Sequence, residues 1–180
     1  MTAMRCWLPV SLPPSFSVKS GHMKSQALRG EYALVGMAES AVGVVPDKSP
    51  RELCVEVTLN AVKDAGLTLA DCDGLITCNA FAEPILYHAE AVAEYLGWQP
   101  RHCVTVNTGG GTTFMAINMA VAAIAAGMAD TIVVAMADSL RSFMTRDQAM
   151  VVQSSSGHPH YEQPYGPTVP AYYALIARAH

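Results

Sequence analysis

Positive charge is scarce in this sequence: 11 Lys and Arg stand against 15 Asp and Glu, leaving a formal net charge of −4. Binding to a phosphate backbone draws on a clustered basic surface, so nucleic acid is not the expected partner. A single anionic ligand is not excluded, because a few local groups can hold one. The five cysteines, at positions 6, 54, 72, 78 and 103, show no C-x-x-C or zinc-ligand spacing, and an odd number cannot form a complete disulfide set. They read as reduced thiols of a cytoplasmic protein. Cys78 and Cys103, at strand edges, read as apolar fillers rather than nucleophiles. No run of residues reaches the ~18 to 20 apolar positions of a membrane span; residues 114–129 come nearest and read as a core helix. At the N-terminus Pro9, Pro13 and Pro14 interrupt a weak apolar region without a small-residue cleavage motif, which makes a poor signal peptide. Residues 1–28 are expected to be a disordered extension, with Met23 a candidate true start.

What is present is an alternation of strands and helices. A composition that is 51% hydrophobic and 14% charged is globular. Strands are expected at residues 31–38 (EYALVGMA), 73–79, 102–107 and 131–137. Ser49, Pro50 and Glu52 supply an N-cap, a proline at the first helical position and a capping-box carboxylate. The helix they open places Leu53, Val57 and Ala61 on one face and ends at Gly66. Pro84 is expected to start a second helix, with Ile85, Ala89, Val92 and Leu96 in one stripe, His88 and Glu94 facing water, and Gly97 as the stop. This spacing predicts βαβ units: a three-layer α/β/α fold with a mostly parallel sheet and helices on both faces. After Asp138 the pattern gives way to a serine cluster and a segment rich in proline, glycine and tyrosine, expected to be a loop subdomain. A helix follows over residues 170–179.

Residues 104–127, VTVNTGGGTTFMAINMAVAAIAAG, combine strand, glycine turn and helix. After Thr113, Asn118 is the one strongly polar side chain before Asp130, and a helix apolar all round is expected to be covered on every side. Its first turn leaves N–H groups unpaired and carries partial positive charge. Gly109, Gly110 and Gly111 allow a ligand close to that backbone. No cysteine, serine or histidine stands in the turn; the nearest hydroxyls are Thr108, Thr112 and Thr113. Candidate substrate-binding residues are Asn107, Gly109, Gly110, Gly111 and Thr112, against the plainer reading that the glycines only permit tight packing. The turn lacks the G-x-G-x-x-G spacing and the G-K-[ST] lysine of dinucleotide and phosphate loops.

The stretch resembles the thiolases, and within them the sterol-carrier/lipid-transfer type, whose pattern is V-N-x-x-C-x-S-G. With Asn107 on the pattern's asparagine, Gly110 falls on the catalytic cysteine, Thr112 on the serine and Thr113 on the glycine. Ile117, Ala120, Ile124 and Gly127 keep the family's spacing. A second block, Glu162-Gln163-Pro164-Tyr165-Gly166-Pro167 with Val169 to Arg178, resembles the segment after the fourth strand of lipid-transfer-type thiolases. The resemblance runs from about Tyr32 to His180. It implies most of a thiolase N-terminal half, with the βα domain at residues 29–140 and a truncated loop subdomain at 141–180. An acyl-CoA thioester is then the substrate, with no separate cofactor, in lipid metabolism that can extend to steroid side chains. It also implies a homodimer and association with a small OB-fold acyl-CoA-binding protein.

The cysteine takes the acyl group in thiolysis, so Gly110 precludes the ordinary acyl-enzyme. Some relatives lacking it act as aldolases on CoA thioesters, which need an acid–base pair and enolate stabilisation but no acyl acceptor on the protein. The family's catalytic histidine and second cysteine belong to its C-terminal half, leaving the catalytic residues unknown and this chain alone inactive. A non-catalytic acyl-CoA- or lipid-binding subunit, or an inactive fragment, is the alternative. Asp138 and Arg141, after the fourth strand, are candidates to orient the turn, hold a phosphate or pair with each other. His158, His160 and Glu162 lie in a proline-bearing loop and are not assigned a metal. Tyr165, Tyr172 and Tyr173 are expected to pack.

Overall fold

The computed structural model describes residues 28, 30–155, 157–166 and 168–180. The extension expected at 1–28 lies outside them apart from Leu28, as do Cys6, Met23 and two positions of the C-terminal loops, Ser156 and Pro167. Leu34–His180 is one compact unit. In the other, Met1–Ala33, the Glu31 N–H donates to the Leu28 carbonyl at 3.4 Å.

Three strands form the described sheet: β1 (Gly74–Thr77), β2 (His102–Thr105) and β3 (Ile132–Ala135), ordered β2-β1-β3 and all parallel. Helix α1 (Pro50–Asp64) begins at the capping box read from the sequence, with Ser49 Oγ accepting from the Glu52 N–H and the Glu52 carboxylate accepting from the Ser49 N–H. It is followed by α2 (His88–Tyr95) and α3 (Thr112–Ala125). The central strand is buried throughout, and its alternation sorts the two faces. Leu75 points into a core with Cys54 of α1, Val92 and Ala93 of α2, and Ala135. Ile76 points the other way, into a core with Val106 and with Ala116 and Ala120 of α3. Two helices on one face and one on the other make the expected three layers.

Asp73 fixes the entry edge of this sheet. Its carboxylate accepts from the Asp130 and Thr131 amides at 2.8 and 2.9 Å and from Arg101 at 2.8 Å, tying the starts of β1, β2 and β3 together. At the other edge Thr77, Thr105 and Ala135 are in register, so the three segments leaving the strands emerge side by side.

Four expectations are corrected. Residues 31–38 form no strand. Gly36 lies so close to α1 that a Cβ there would sit 2.4 Å from the Ala61 carbonyl oxygen, and the Met37 N–H donates to Asp64 at 2.9 Å. A cavity of ≈ 460 Å³ is lined by Gly36 to Ser40 on one side and by Val133 to Met136 on the other. Helix α2 starts at His88 rather than Pro84, because the Thr105 hydroxyl at the end of β2 accepts the Ala89 N–H at 2.9 Å and caps it there. His88 is fully buried instead of facing water. Helix α3 is buried along Thr112, Ala116, Ala120 and Ala123 rather than on every side, and Phe114 is 73% exposed.

The segment after Asp138 is more helical than expected, with α4 (Leu140–Phe143), α5 (Arg146–Ser154) and α6 (Val169–Ala179). Thr145 and Gln148 close a capping box on α5 that the sequence reading passed over. The helix expected over residues 170–179 is α6. Among the described residues no helix is long and apolar enough to cross a membrane.

Candidate functional site

The carboxyl edge of a parallel sheet is where strand-following loops converge and ligands gather. Here the edge carries a cavity of ≈ 570 Å³. One wall is the glycine turn with Asn107, Gly109, Gly110 and Thr112; a second is Cys78, Asn79 and Phe81 after β1; a third is Met136, Ala137 and Asp138 after β3. Gln153 of α5 and Val169 of α6 close over it. Four of the five candidate residues from the sequence therefore line one space, while Gly111 serves as the N-cap of α3.

The turn is shaped by Thr112. Its hydroxyl accepts from the Thr108 N–H at 2.9 Å and donates to the Gly109 carbonyl at 2.6 Å, and the side chain is buried. Gly109 takes a left-handed conformation, φ +67°, that a side chain would strain. Gly110 has no such φ, and a Cβ built on it meets no heavy atom within 4 Å. Gly110 is thus open to the cavity, and its position is sterically able to bear a side chain.

Asp138 does not pair with Arg141. Its carboxylate accepts from the Phe81 N–H at 2.7 Å, the Ala82 N–H at 3.3 Å and its neighbour Ser139's N–H at 2.8 Å. Asn107 Oδ1, from the other flanking strand, accepts the Asn79 N–H at 3.3 Å. The loop leaving the central strand is thus held from both sides. Among the described residues lining the cavity the titratable groups are Cys78 and Asp138. Burial, aided by Asp138, pushes the Cys78 thiol above its usual range, which leaves it protonated and supports its reading as a filler. Burial likewise raises Cys103 to about 11 and Cys54 to about 12.

Behind the cavity lies a polar cluster that the sequence reading missed. His88 Nδ1 is 3.0 Å from the Thr77 hydroxyl, and the nearby Arg51 pairs with Glu83 at 2.6 Å while stacking on Tyr95. Burial holds the imidazole below its usual pKa despite Glu83 and Asp138. The hint in the sequence was a histidine eleven residues after a strand-terminal threonine, which is weak on its own. In the C-terminal loop the His158 N–H donates to the Glu162 carboxylate and His158 Nδ1 accepts from the His160 N–H, so this trio is spent on its own turn. Among the described residues no group of three His, Cys, Asp or Glu is placed to hold a metal. Tyr165 and Tyr173 are exposed rather than packed, and Tyr172 keeps 36% of its surface in solvent.

A three-layer α/β/α arrangement with a glycine turn opening an apolar helix at the carboxyl edge of a parallel sheet is a thiolase-like fold. The comparisons agree. The chain is 25% identical over 153 residues to the acetyl-CoA acetyltransferase of Methanothermobacter thermautotrophicus, covering 83% of this chain and 39% of that protein. It is 30% identical over 159 residues to the 17-hydroxy-3-oxo-4-pregnene-20-carboxyl-CoA lyase of Mycobacterium tuberculosis, covering 84% and 40%. Among solved structures it superimposes on the Ltp2-ChsH2(DUF35) aldolase with a TM-score of 0.64 and 27% identity, over 82% of this chain and 37% of that one. The chain spans about two fifths of the length of the relatives it matches. No protein-family profile matches it.

Proposed function

We propose that this chain belongs to a lipid-transfer-type thiolase homologue that acts on acyl-CoA thioesters without a cysteine nucleophile, through retro-aldol cleavage rather than thiolysis. The observation that carries this reading is Gly110, which lines the cavity and offers no thiol, and which falls on the nucleophile position by resemblance to the thiolase pattern. The names of two relatives, a CoA lyase and an aldolase, point the same way. In such a reaction a base takes the proton of a β-hydroxyl, the Cα–Cβ bond breaks to release a carbonyl compound, and the thioester enolate left behind is protonated at Cα. The protein would supply an open turn at the N-terminus of α3, where partial positive charge favours the enolate oxygen. Homodimerisation and a small OB-fold partner belong to the same proposal, by resemblance.

One observation favours a second reading, a non-catalytic acyl-CoA-binding subunit. The carboxylate at the cavity, Asp138, already accepts three amide N–H groups, and no histidine lines the space among the described residues. The test is to offer the protein a β-hydroxyacyl-CoA, and separately a β-ketoacyl-CoA with free CoA, and to follow products by mass spectrometry. Carbonyl release from the first with no thiolysis of the second is expected. Thiolysis would overturn the reading, and binding without turnover would move it to the second.

A further inference from the structure

We propose that Asp138 and Phe81 form a specificity device within this site: Asp138 is a positioning residue that clamps the loop after β1, and Phe81 is the apolar wall on which the acyl end of the thioester rests. The inference deepens the acyl-CoA reading and rests on it. Asp138 reaches across the end of the central strand to the amides of Phe81 and Ala82, 57 and 56 residues away in sequence. Charge-assisted bonds from a carboxylate to consecutive N–H groups are stronger than neutral ones and fix the backbone that carries the side chain. That backbone has few other ties. Asn107 holds it one step earlier, at Asn79.

What the clamp presents is apolar. Phe81 is 45% exposed yet lines the cavity, facing a rim that includes Met136, Ala137 and Val169. A phenyl held by a carboxylate at its own amide, with nearly half of its surface still in water, has apolar area left to offer a ligand. The glycine turn across the cavity has no side chain to match it. The thioester end of a ligand thus meets backbone N–H groups and the acyl end meets Phe81. Longer acyl groups should be preferred.

The test compares affinities of the chain for coenzyme A, acetyl-CoA and octanoyl-CoA, together with amide hydrogen exchange at Phe81 and Ala82. Wild type is expected to bind octanoyl-CoA more tightly than acetyl-CoA. Phe81→Ala should shrink that ratio about tenfold, roughly the loss of apolar contact over two methylenes, with coenzyme A binding unchanged. Phe81→Leu should retain most of the ratio. Asp138→Ala should shrink it similarly and raise exchange at both amides, whereas Asp138→Asn, which keeps one carbonyl acceptor, should lie between. A ratio unchanged in Phe81→Ala, or unchanged amide exchange in Asp138→Ala, would overturn the proposal. If wild type binds none of the three compounds, the acyl-CoA reading fails and Phe81's role with it, while the exchange result still decides whether the clamp exists.

Discussion

Replacing Gly110 with cysteine puts a thiol on the turn that lines the cavity, and the structure says how that thiol should behave. Gly110 has no positive φ, a Cβ there meets nothing within 4 Å, and the residue lies two positions before Thr112, the first residue of α3. Gly110→Cys should therefore leave the melting temperature unchanged or raise it slightly, since removing a glycine's freedom from the unfolded chain stabilises by about 0.4–1 kcal/mol where the conformation is compatible. Gly109→Ala, one residue away at φ +67°, should instead cost about 1–2 kcal/mol. The helix N-terminus should lower the new thiol's pKa from the usual ~8.5 toward ~7. At pH 7 the thiolate fraction then rises from roughly 3% to about half. Intrinsic nucleophilicity falls with pKa by a factor of about five over the same interval, so the net gain in thiol–disulfide exchange is about threefold. Above pH 9, where both thiols are ionised, the order should invert. The assay is the rate of exchange with an aromatic disulfide from pH 5 to 10, in a Cys6→Ser background because Cys6 lies outside the described residues. The remaining thiols are slow by comparison, since burial raises the pKa of Cys54, Cys72, Cys78 and Cys103. A rate midpoint at or above 8.5, or a loss of stability larger than that of Gly109→Ala, would refute the picture of an open turn at a positive helix end.

Thr112→Val should destabilise by about 1–3 kcal/mol in a denaturant titration, because it leaves the Thr108 N–H and the Gly109 carbonyl without their buried partner, while Thr112→Ser should stay near wild type. His88 is held below its ordinary value of 6.5 chiefly by burial, so the unfolded chain takes up its proton first on acidification. The stability it confers is complete above pH 6.5 and declines as pH falls below that toward the folded-state pKa; His88→Gln should flatten this slope in melting curves taken between pH 7.5 and 5. At Asp73 burial raises the carboxyl pKa, but the Thr131 and Asp130 amides and Arg101 outweigh it and hold it below its ordinary value of 3.8. Its contribution is full above about pH 4 and lost below, so the melting-temperature gap between wild type and Asp73→Asn should close as pH drops below 3.8.

The features legible in the sequence are those whose cause is local. The capping box of α1 needs only Ser49 and Glu52, three residues apart, and it forms as expected. The three strands that pair are short apolar runs, and the glycine turn was visible because glycine is a statement about backbone. What failed depended on partners far along the chain. Alternation at 31–38 marks a segment able to be a strand, but pairing needs a neighbour's edge, and this segment is instead held by Asp64 of α1. Pro84 is a sound start signal for a helix, yet the cap that begins α2 is Thr105, contributed by the next strand. The start shifts by four residues, and His88, expected to face water, is buried with its ring on Thr77.

The same distinction runs through the candidate site. Its backbone half, the turn at 107–112, was readable because the pattern of asparagine, glycines and threonine is contiguous. Its side-chain half was not: Asp138 looked like a strand-end carboxylate in want of a cation, and Phe81 like one more aromatic in a loop. Register joins them, since Thr77 pairs with both Thr105 and Ala135 and so delivers residues 78–81, 106–109 and 136–138 to one edge. A cavity made this way depends on the sheet more than on any nucleophile. Substituting the residue at position 110 therefore alters the chemistry available at the edge without altering the space that holds a ligand, which is why a cysteine-free turn and an intact cavity can coexist in this chain.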